Sequence, residues 1–314
     1  MHISPALIEQ RAERMLRERI TPAIHAESVP LALTAWQAPG EPVPFAHAAA
    51  QDYEPIRPGD PWGPPWGTTW LHATGVVPDG WRRREGHRVE LVVDLGFTDT
   101  QPGFQAEGLL RRADGSAIKA VSPFNRAADW EGEPDAVDVY IEAASNPDVA
   151  GGFGFAPTPL GYRETAGDDP LYRLRRVDMA LRDLTVWELV QDLTVLLELA
   201  AGLPEDSTRR ARIDVALERA VDRVDPRDVG GTAAAARAEL ADVLAAPASA
   251  SAHHAVAVGH AHIDSAWLWP VRETVRKCVR TFSSVLALMD ADPDFVFACS
   301  SAQQYAWVKE DQPE

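Results

Sequence analysis

The spacing of apolar residues changes several times along this chain, and each change marks a change of architecture. Between residues 6 and 20 apolar and charged positions follow a helical period. Leu7, Ala12, Met15 and Ile20 share one face, and Thr21-Pro22 stops the pattern. From there to about residue 170, short β-branched runs stand between Pro, Gly and Trp turn signals. Examples are Thr68-Thr69-Trp70-Leu71-His72-Ala73, Val89 to Asp94 and Val137 to Glu142. Several short strands joined in this way predict an antiparallel β-sandwich. From about Tyr172, Val177, Leu181, Leu184, Val190, Leu193 and Leu197 recur every three to four residues, which predicts a helix ending at Gly202-Leu203-Pro204. Two further helices are expected at about 206–223 and 232–245, followed by a small-residue linker at 247–252.

After the linker the pattern reads strand, loop, helix, strand. Ala255-Val256-Ala257-Val258 is a short apolar run; Val275, Val279, Phe282, Leu286 and Met289 form a helical stripe; Phe295 to Cys299 is a second strand. This βαβ pattern implies a parallel pair with a right-handed crossover. The reading is therefore a multi-domain α+β chain. It has an N-terminal helix (1–24), an antiparallel β-sandwich domain (25–170), a helical connector (171–250) and the start of an α/β domain (251–314).

Composition narrows the range of functions. The 314 residues carry a formal charge of −17, which disfavours nucleic acid and anionic membrane surfaces as partners and leaves a neutral ligand such as a sugar compatible. Cys278 and Cys299 are the only cysteines. They are too few for a disulfide framework and suit a reducing compartment. The opening Met1-His2-Ile3-Ser4-Pro5 lacks a basic region followed by an apolar one, and no apolar run approaches bilayer length. A cytoplasmic protein is expected, and a homo-oligomer remains compatible with this reading.

The chemistry is concentrated in Gly259-His260-Ala261-His262-Ile263-Asp264-Ser265-Ala266-Trp267-Leu268-Trp269-Pro270. If extended backbone continues past 258, His260, His262 and Asp264 project to one face, at the strand end where α/β enzymes place their sites. Imidazole and carboxylate are ordinary zinc ligands. Taken alone, the same residues could cap a helix, and Trp267 and Trp269 could be core. Trp62-Gly63-Pro64-Pro65-Trp66 invites a sugar-binding reading, but packing and turn chemistry explain it better. His253-His254 and the acidic stretch from Asp129 to Asp138 read as solvated loops.

The stretch from Gly259 to Pro270 resembles the start of the catalytic domain of glycoside hydrolase family 38 α-mannosidases, of the cytosolic branch. So do Glu273-Thr274, Arg276-Lys277, Arg280 to Ser283 and Ser300 to Trp307. Trp66 to Trp70 and Phe104 to Gly108 resemble the β-rich domain that precedes it. The resemblance implies an α/β barrel-like catalytic domain, with His262 and Asp264 as zinc ligands (cobalt being an alternative metal), Trp267 as a platform under mannose, and His260 one layer behind the ligands. It also implies retaining hydrolysis of terminal α-mannosides of oligosaccharides. The nucleophile and remaining ligands are expected downstream of residue 314, so this chain alone should be inactive. Asp290, Asp292, Asp294 and Asp311 read as capping or solvated carboxylates.

Two other readings compete. His260-Ala261-His262 also fits the first-strand motif of an amidohydrolase-like barrel working through metal-bound water, although the upstream β-domain and Trp267-Leu268-Trp269 weigh against it. The β-domain could instead be a non-catalytic sugar-binding or assembly module.

Overall fold

The computed structural model describes residues 5–98, 103, 105–148, 166–249 and 251–312. Parts of the sequence reading fall outside these residues: the first four positions, Phe104, Ala250 in the linker, and the last two positions. Two compact units emerge. One combines residues 1–29, 78–90 and 180–254; the other combines 30–77, 91–179 and 255–314.

In the first unit, helix α1 (Pro5–Met15) runs into a wider turn at Leu16–Ile20. It buries Ala12 and Ile20. Leu7, expected on that face, is exposed, and its neighbour Ile8 packs inward instead. Ile8, Ala12 and Met15 stand at i, i+4 and i+7, so the inward face of a regular helix passes through Ile8 and turns Leu7 about 100° aside.

Strands β1 (His25–Pro30), β2 (Ala32–Ala38), β3 (Glu54–Pro55), β4 (Pro61–Trp62) and β5 (Thr68–Val76) follow, with a short helix α2 (Phe45–Ala49) between β2 and β3. Next come β6 (His87–Asp94), β7 (Glu107–Arg112), β8 (Ala117–Val121), β9 (Ala127–Asp129) and β10 (Ala136–Ala144). The three runs singled out in the sequence are thus strands β5, β6 and β10. The expected helix from about Tyr172 begins later: β11 (Tyr172–Arg173) and β12 (Arg176–Asp183) precede it. Val177 and Leu181 are four apart, a separation that fits both a helix and a strand. Met179, buried between them, reveals the period of two.

Helix α3 (Leu184–Gly202) starts where Asp183 accepts hydrogen bonds from the backbone N–H groups of Thr185 and Val186. It packs with α1, α4 (Thr208–Arg223) and α5 (Val229–Leu244) through Leu189, Leu193, Leu196, Leu217 and Leu240, all essentially buried. Among the described residues, no helix is long and apolar enough to cross a membrane.

The second unit is organised by a six-stranded sheet in the order β3-β2-β5-β10-β7-β8, antiparallel in every pairing described. A four-stranded sheet takes β1, β12, β6 and β9 in that order. Register assigns the faces of the larger sheet. Glu107 pairs with Ala144, Leu109 with Glu142 and Arg111 with Tyr140, so Glu107, Arg111, Tyr140 and Glu142 share one face, while Leu110 and Ile141 share the other.

The chain after the linker departs from expectation at one point. The run from Ala255 to Val258 is not a strand; Val256 is 91% exposed. The parallel pair is instead β13 (Gly259–His260) with β14 (Phe297–Ala298), joined through helix α6 (Val271–Ala291) and followed by α7 (Ala302–Asp311). A strand of two pairs cannot cover the apolar run before it. The expected βαβ unit is thus present as a two-residue strand, a helix and a two-residue strand.

Helix α6 meets the charged sheet face with charges of its own. Its buried residues include Val279 and Phe282 but also Glu273, Thr274, Lys277 and Arg280, whereas Leu286 and Met289 of the expected apolar stripe are exposed. Lys277 Nζ donates to Glu107 Oε1 at 2.6 Å and Arg280 Nε to Glu107 Oε2 at 2.7 Å. Arg280 also donates to Glu273, which accepts from Arg276 at 3.1 Å and from Asn146 Nδ2 at 2.8 Å. Arg276 Nε reaches Glu142 at 3.0 Å, and Glu142 accepts from Arg111 at 3.3 Å. Burial pushes each carboxyl group up, but the cations together outweigh it: Glu107 and Glu142 are held below the usual range and Glu273 is held at about 2.

Two substitutions should separate local from packing effects in urea unfolding. Asp183→Ala should cost about 1 kcal/mol through its lost cap. Gly96→Ala should cost at least about 2 kcal/mol, because Gly96 has φ +96° and an added Cβ would lie 2.4 Å from the Arg173 carbonyl oxygen. Equal small losses would contradict this account of Gly96.

The carboxylates also predict a pH dependence. A carboxyl group with a lowered folded-state pKa contributes stability above its unfolded value, ~4.3, and loses that contribution as pH falls toward the folded value. Urea midpoints should stay level from about pH 7 to 5 and then fall toward about pH 2. Glu273→Gln should cost roughly 3–5 kcal/mol at neutral pH and flatten the acid slope. An unchanged slope in that variant would remove Glu273 as its source.

Candidate functional site

The segment carrying the expected ligands leaves β13 and runs without regular structure from Ala261 to Pro270, where α6 begins. The extended backbone ends at His260, so the three-residue alignment expected from continued β structure is reduced to a pair. His262 Nε2 lies 3.2 Å from Asp264 Oδ1. The His262 side chain is 82% exposed and that of Asp264 39%. His260 is exposed at the strand end and shares with His262 the lining of a cleft of about 490 Å³.

Donor chemistry and spacing both suit a metal. Imidazole nitrogen and carboxylate oxygen are zinc donors, and two donors of a tetrahedral shell with bonds of about 2.0–2.2 Å stand roughly 3.3–3.5 Å apart. The pair observed at 3.2 Å is within a small adjustment of that spacing. Two donors fill half of such a shell. Among the described residues, no group of three or more His, Cys, Asp or Glu side chains is placed to hold a metal ion. Asp290 and Asp311 lie near the ends of their helices, and Asp292 Oδ1 accepts from the Asp294 N–H in a turn; none joins the pair.

The aromatic residues separate into two roles. Trp267 is 58% exposed, and its ring meets that of Trp269 edge to face at 6.0 Å. Trp269 is buried: its indole N–H donates to Thr274 Oγ1 at 3.1 Å, and the Lys277 ammonium lies 4.7 Å from its ring centre. Trp62 and Trp66 are also buried, and Trp62 stacks on Tyr172 and donates to the Leu95 carbonyl. Those two rings belong to packing. His253 and His254 are exposed, as expected of a solvated loop.

Cys278 and Cys299 are both free thiols. Burial pushes the Cys278 thiol up to about 11, so it is protonated and unreactive at neutral pH.

The sequence pattern did not indicate that the loop is supported from both sides by buried polar groups. Gln304 Nε2 donates to the Ile263 carbonyl at 2.7 Å, and Thr274 Oγ1 lies 3.4 Å from the Asp264 carbonyl. A signal existed in the spacing of Glu273, Lys277 and Arg280, which stand at i, i+4 and i+7 on the face opposite to Val279 and Phe282; a charged stripe of this kind reads from sequence as a solvated face, and here it is buried.

Comparison with known proteins gives the same order of parts. Residues 29–180 match the α-mannosidase jelly roll domain, and residues 252–314 match the N-terminal domain of family 38 glycosyl hydrolases. Mouse alpha-mannosidase 2C1 is 33% identical over 295 residues, covering 92% of this chain and 27% of that protein. The human alpha-mannosidase 2C1 is 31% identical over 296 residues, covering 91% and 26%. An alpha-mannosidase of Saccharomyces cerevisiae is 30% identical over 269 residues, covering 81% and 23%. The chain thus spans about a quarter of the length of these relatives. With a jelly-roll match followed by a family 38 match, and with relatives aligned across most of its length, the chain belongs to glycosyl hydrolase family 38, residues 29–180 corresponding to the jelly roll domain and residues 252–314 to part of the N-terminal domain.

Proposed function

We propose that this chain is part of a retaining, metal-dependent α-mannosidase that removes terminal α-mannose from oligosaccharides in the cytoplasm, and that it supplies the first two metal ligands and a sugar platform. The observation that carries this reading is the His262–Asp264 pair, 3.2 Å apart on a loop that also bears the exposed Trp267 three residues further on, within the segment matched to family 38. His262 and Asp264 would hold zinc or cobalt. The bound ion would supply a Lewis acid for the vicinal hydroxyls of the sugar.

The side chains present have definable tasks. Asp264 offers a carboxylate oxygen and His262 an imidazole nitrogen to a cation. Trp267 presents a flat apolar face to the C–H side of a pyranose ring and leaves the hydroxyl side free for polar contacts. The carboxylate nucleophile and the acid/base partner required for retention are assigned to no residue of this chain, so the isolated chain is expected to be inert. The rival reading of a sugar-binding β-domain loses support from the burial of Trp62 and Trp66.

The test is hydrolysis of p-nitrophenyl α-mannoside by the full-length protein, with a chelator and metal add-back. His262→Ala and Asp264→Ala should each lower kcat/KM by at least about 100-fold; activity that survives both the chelator and these substitutions would refute the metal site. Trp267→Ala should act mainly on KM, raising it by up to about tenfold. A loss confined to kcat would contradict the platform role.

A further inference from the structure

Two buried polar side chains converge on the loop between His262 and Asp264. Thr274 is fully buried and Gln304 is 4% exposed. They come from different helices, α6 and α7. Gln304 Nε2 donates to the Ile263 carbonyl at 2.7 Å, while its Oε1 accepts from Cys299 Sγ at 3.4 Å, so both ends of the amide are engaged. The Thr274 hydroxyl accepts from the Trp269 indole at 3.1 Å and donates toward the Asp264 carbonyl at 3.4 Å.

We propose that Thr274 and Gln304 are positioning residues for the metal-ligand pair, fixing Asp264 through the two peptide planes that flank its Cα. The carbonyl of Ile263 belongs to the plane before Asp264, and the carbonyl of Asp264 to the plane after it. Peptide units are rigid planes joined at Cα by two soft torsions, so holding both planes sets φ and ψ of Asp264 and therefore the direction of its Cβ. The loop has no ladder of backbone hydrogen bonds to do this. Leaving these torsions free would add the entropic cost of ordering them to every metal-binding event.

The support continues into the jelly-roll sheet. Lys277, one turn after Thr274, lies over the Trp269 ring and bonds to Glu107 Oε1 and to the Gly103 carbonyl at 2.9 Å. Glu107 thereby anchors the helix turn that carries Thr274.

This inference rests on the metal-site reading above, and the experiment separates the two. In the full-length protein, Thr274→Val, Thr274→Ser and Gln304→Met are compared with the unsubstituted protein. The readouts are Co2+ affinity by chelator competition, the visible spectrum of bound Co2+, and thermal unfolding. Thr274→Val and Gln304→Met should each weaken Co2+ binding by about 10–100-fold and shift the cobalt bands, whereas Thr274→Ser, which keeps the hydroxyl, should restore both. Should Thr274→Val fail to fold, Gln304→Met on the other helix carries the test. Unchanged affinity and spectrum in the variants would overturn the positioning role alone, even with a lower Tm, and so would a Thr274→Ser variant as impaired as Thr274→Val. Absence of Co2+ uptake by the unsubstituted protein would overturn the metal-site reading and this inference with it.

Discussion

Glu107 and Glu142 project from one face of the jelly-roll sheet into a space closed to water, and a buried carboxylate is tolerated only opposite positive charge. That requirement selects the element which can cover the face. Helix α6 satisfies it with Arg276, Lys277 and Arg280, while Arg111 contributes from the sheet and Glu273 returns a negative charge from the helix. An apolar helix of the same shape would strip Glu107 of Lys277 and Arg280 and leave Glu142 with Arg111 alone. Networks of this kind add little net stability over apolar packing, but breaking one is costly, and their consequence here is register. Displacing α6 by one residue would separate Glu107 from both of its cations. The loop bearing His262 and Asp264 enters α6 directly, so its place relative to the sheet is set by the same charges.

Much of this architecture was legible in the sequence because it rests on simple periodicities. The strands at 68–76, 87–94 and 136–144 and the helices at 208–223 and 229–244 follow from alternation or from a period of 3.6. The misreadings occur where one pattern serves two structures. Val177 and Leu181 suit a helix as well as the strand they occupy, and the run from Ala255 to Val258 is apolar but exposed. Pairing depends on a partner strand, which residues in the run itself do not encode.

The candidate site was legible by residue type more than by geometry. The histidine, the aspartate and the exposed tryptophan were readable in the loop motif, but the expected strand-like alignment of His260, His262 and Asp264 gives way to a two-residue contact after β13 ends. Burial of Thr274 and Gln304 could not be read locally. It follows from the charged interface beneath α6 and from the packing of α7, both set by residues more than a hundred positions away or on another helix.

The span between Glu107 and Lys277, 170 residues along the chain, also has a temporal meaning. At roughly 5–20 residues per second of synthesis, the sheet strand bearing Glu107 exists for about 10–30 seconds before its lysine has been made. During that interval the carboxylate can be stabilised only by water, so this face of the sheet must stay hydrated and open. The jelly roll therefore cannot reach its final dryness as an early, self-sufficient product of translation. Its last layer closes when a later helix arrives with the right charges, which makes the seam between the two family segments a late checkpoint in the birth of the protein.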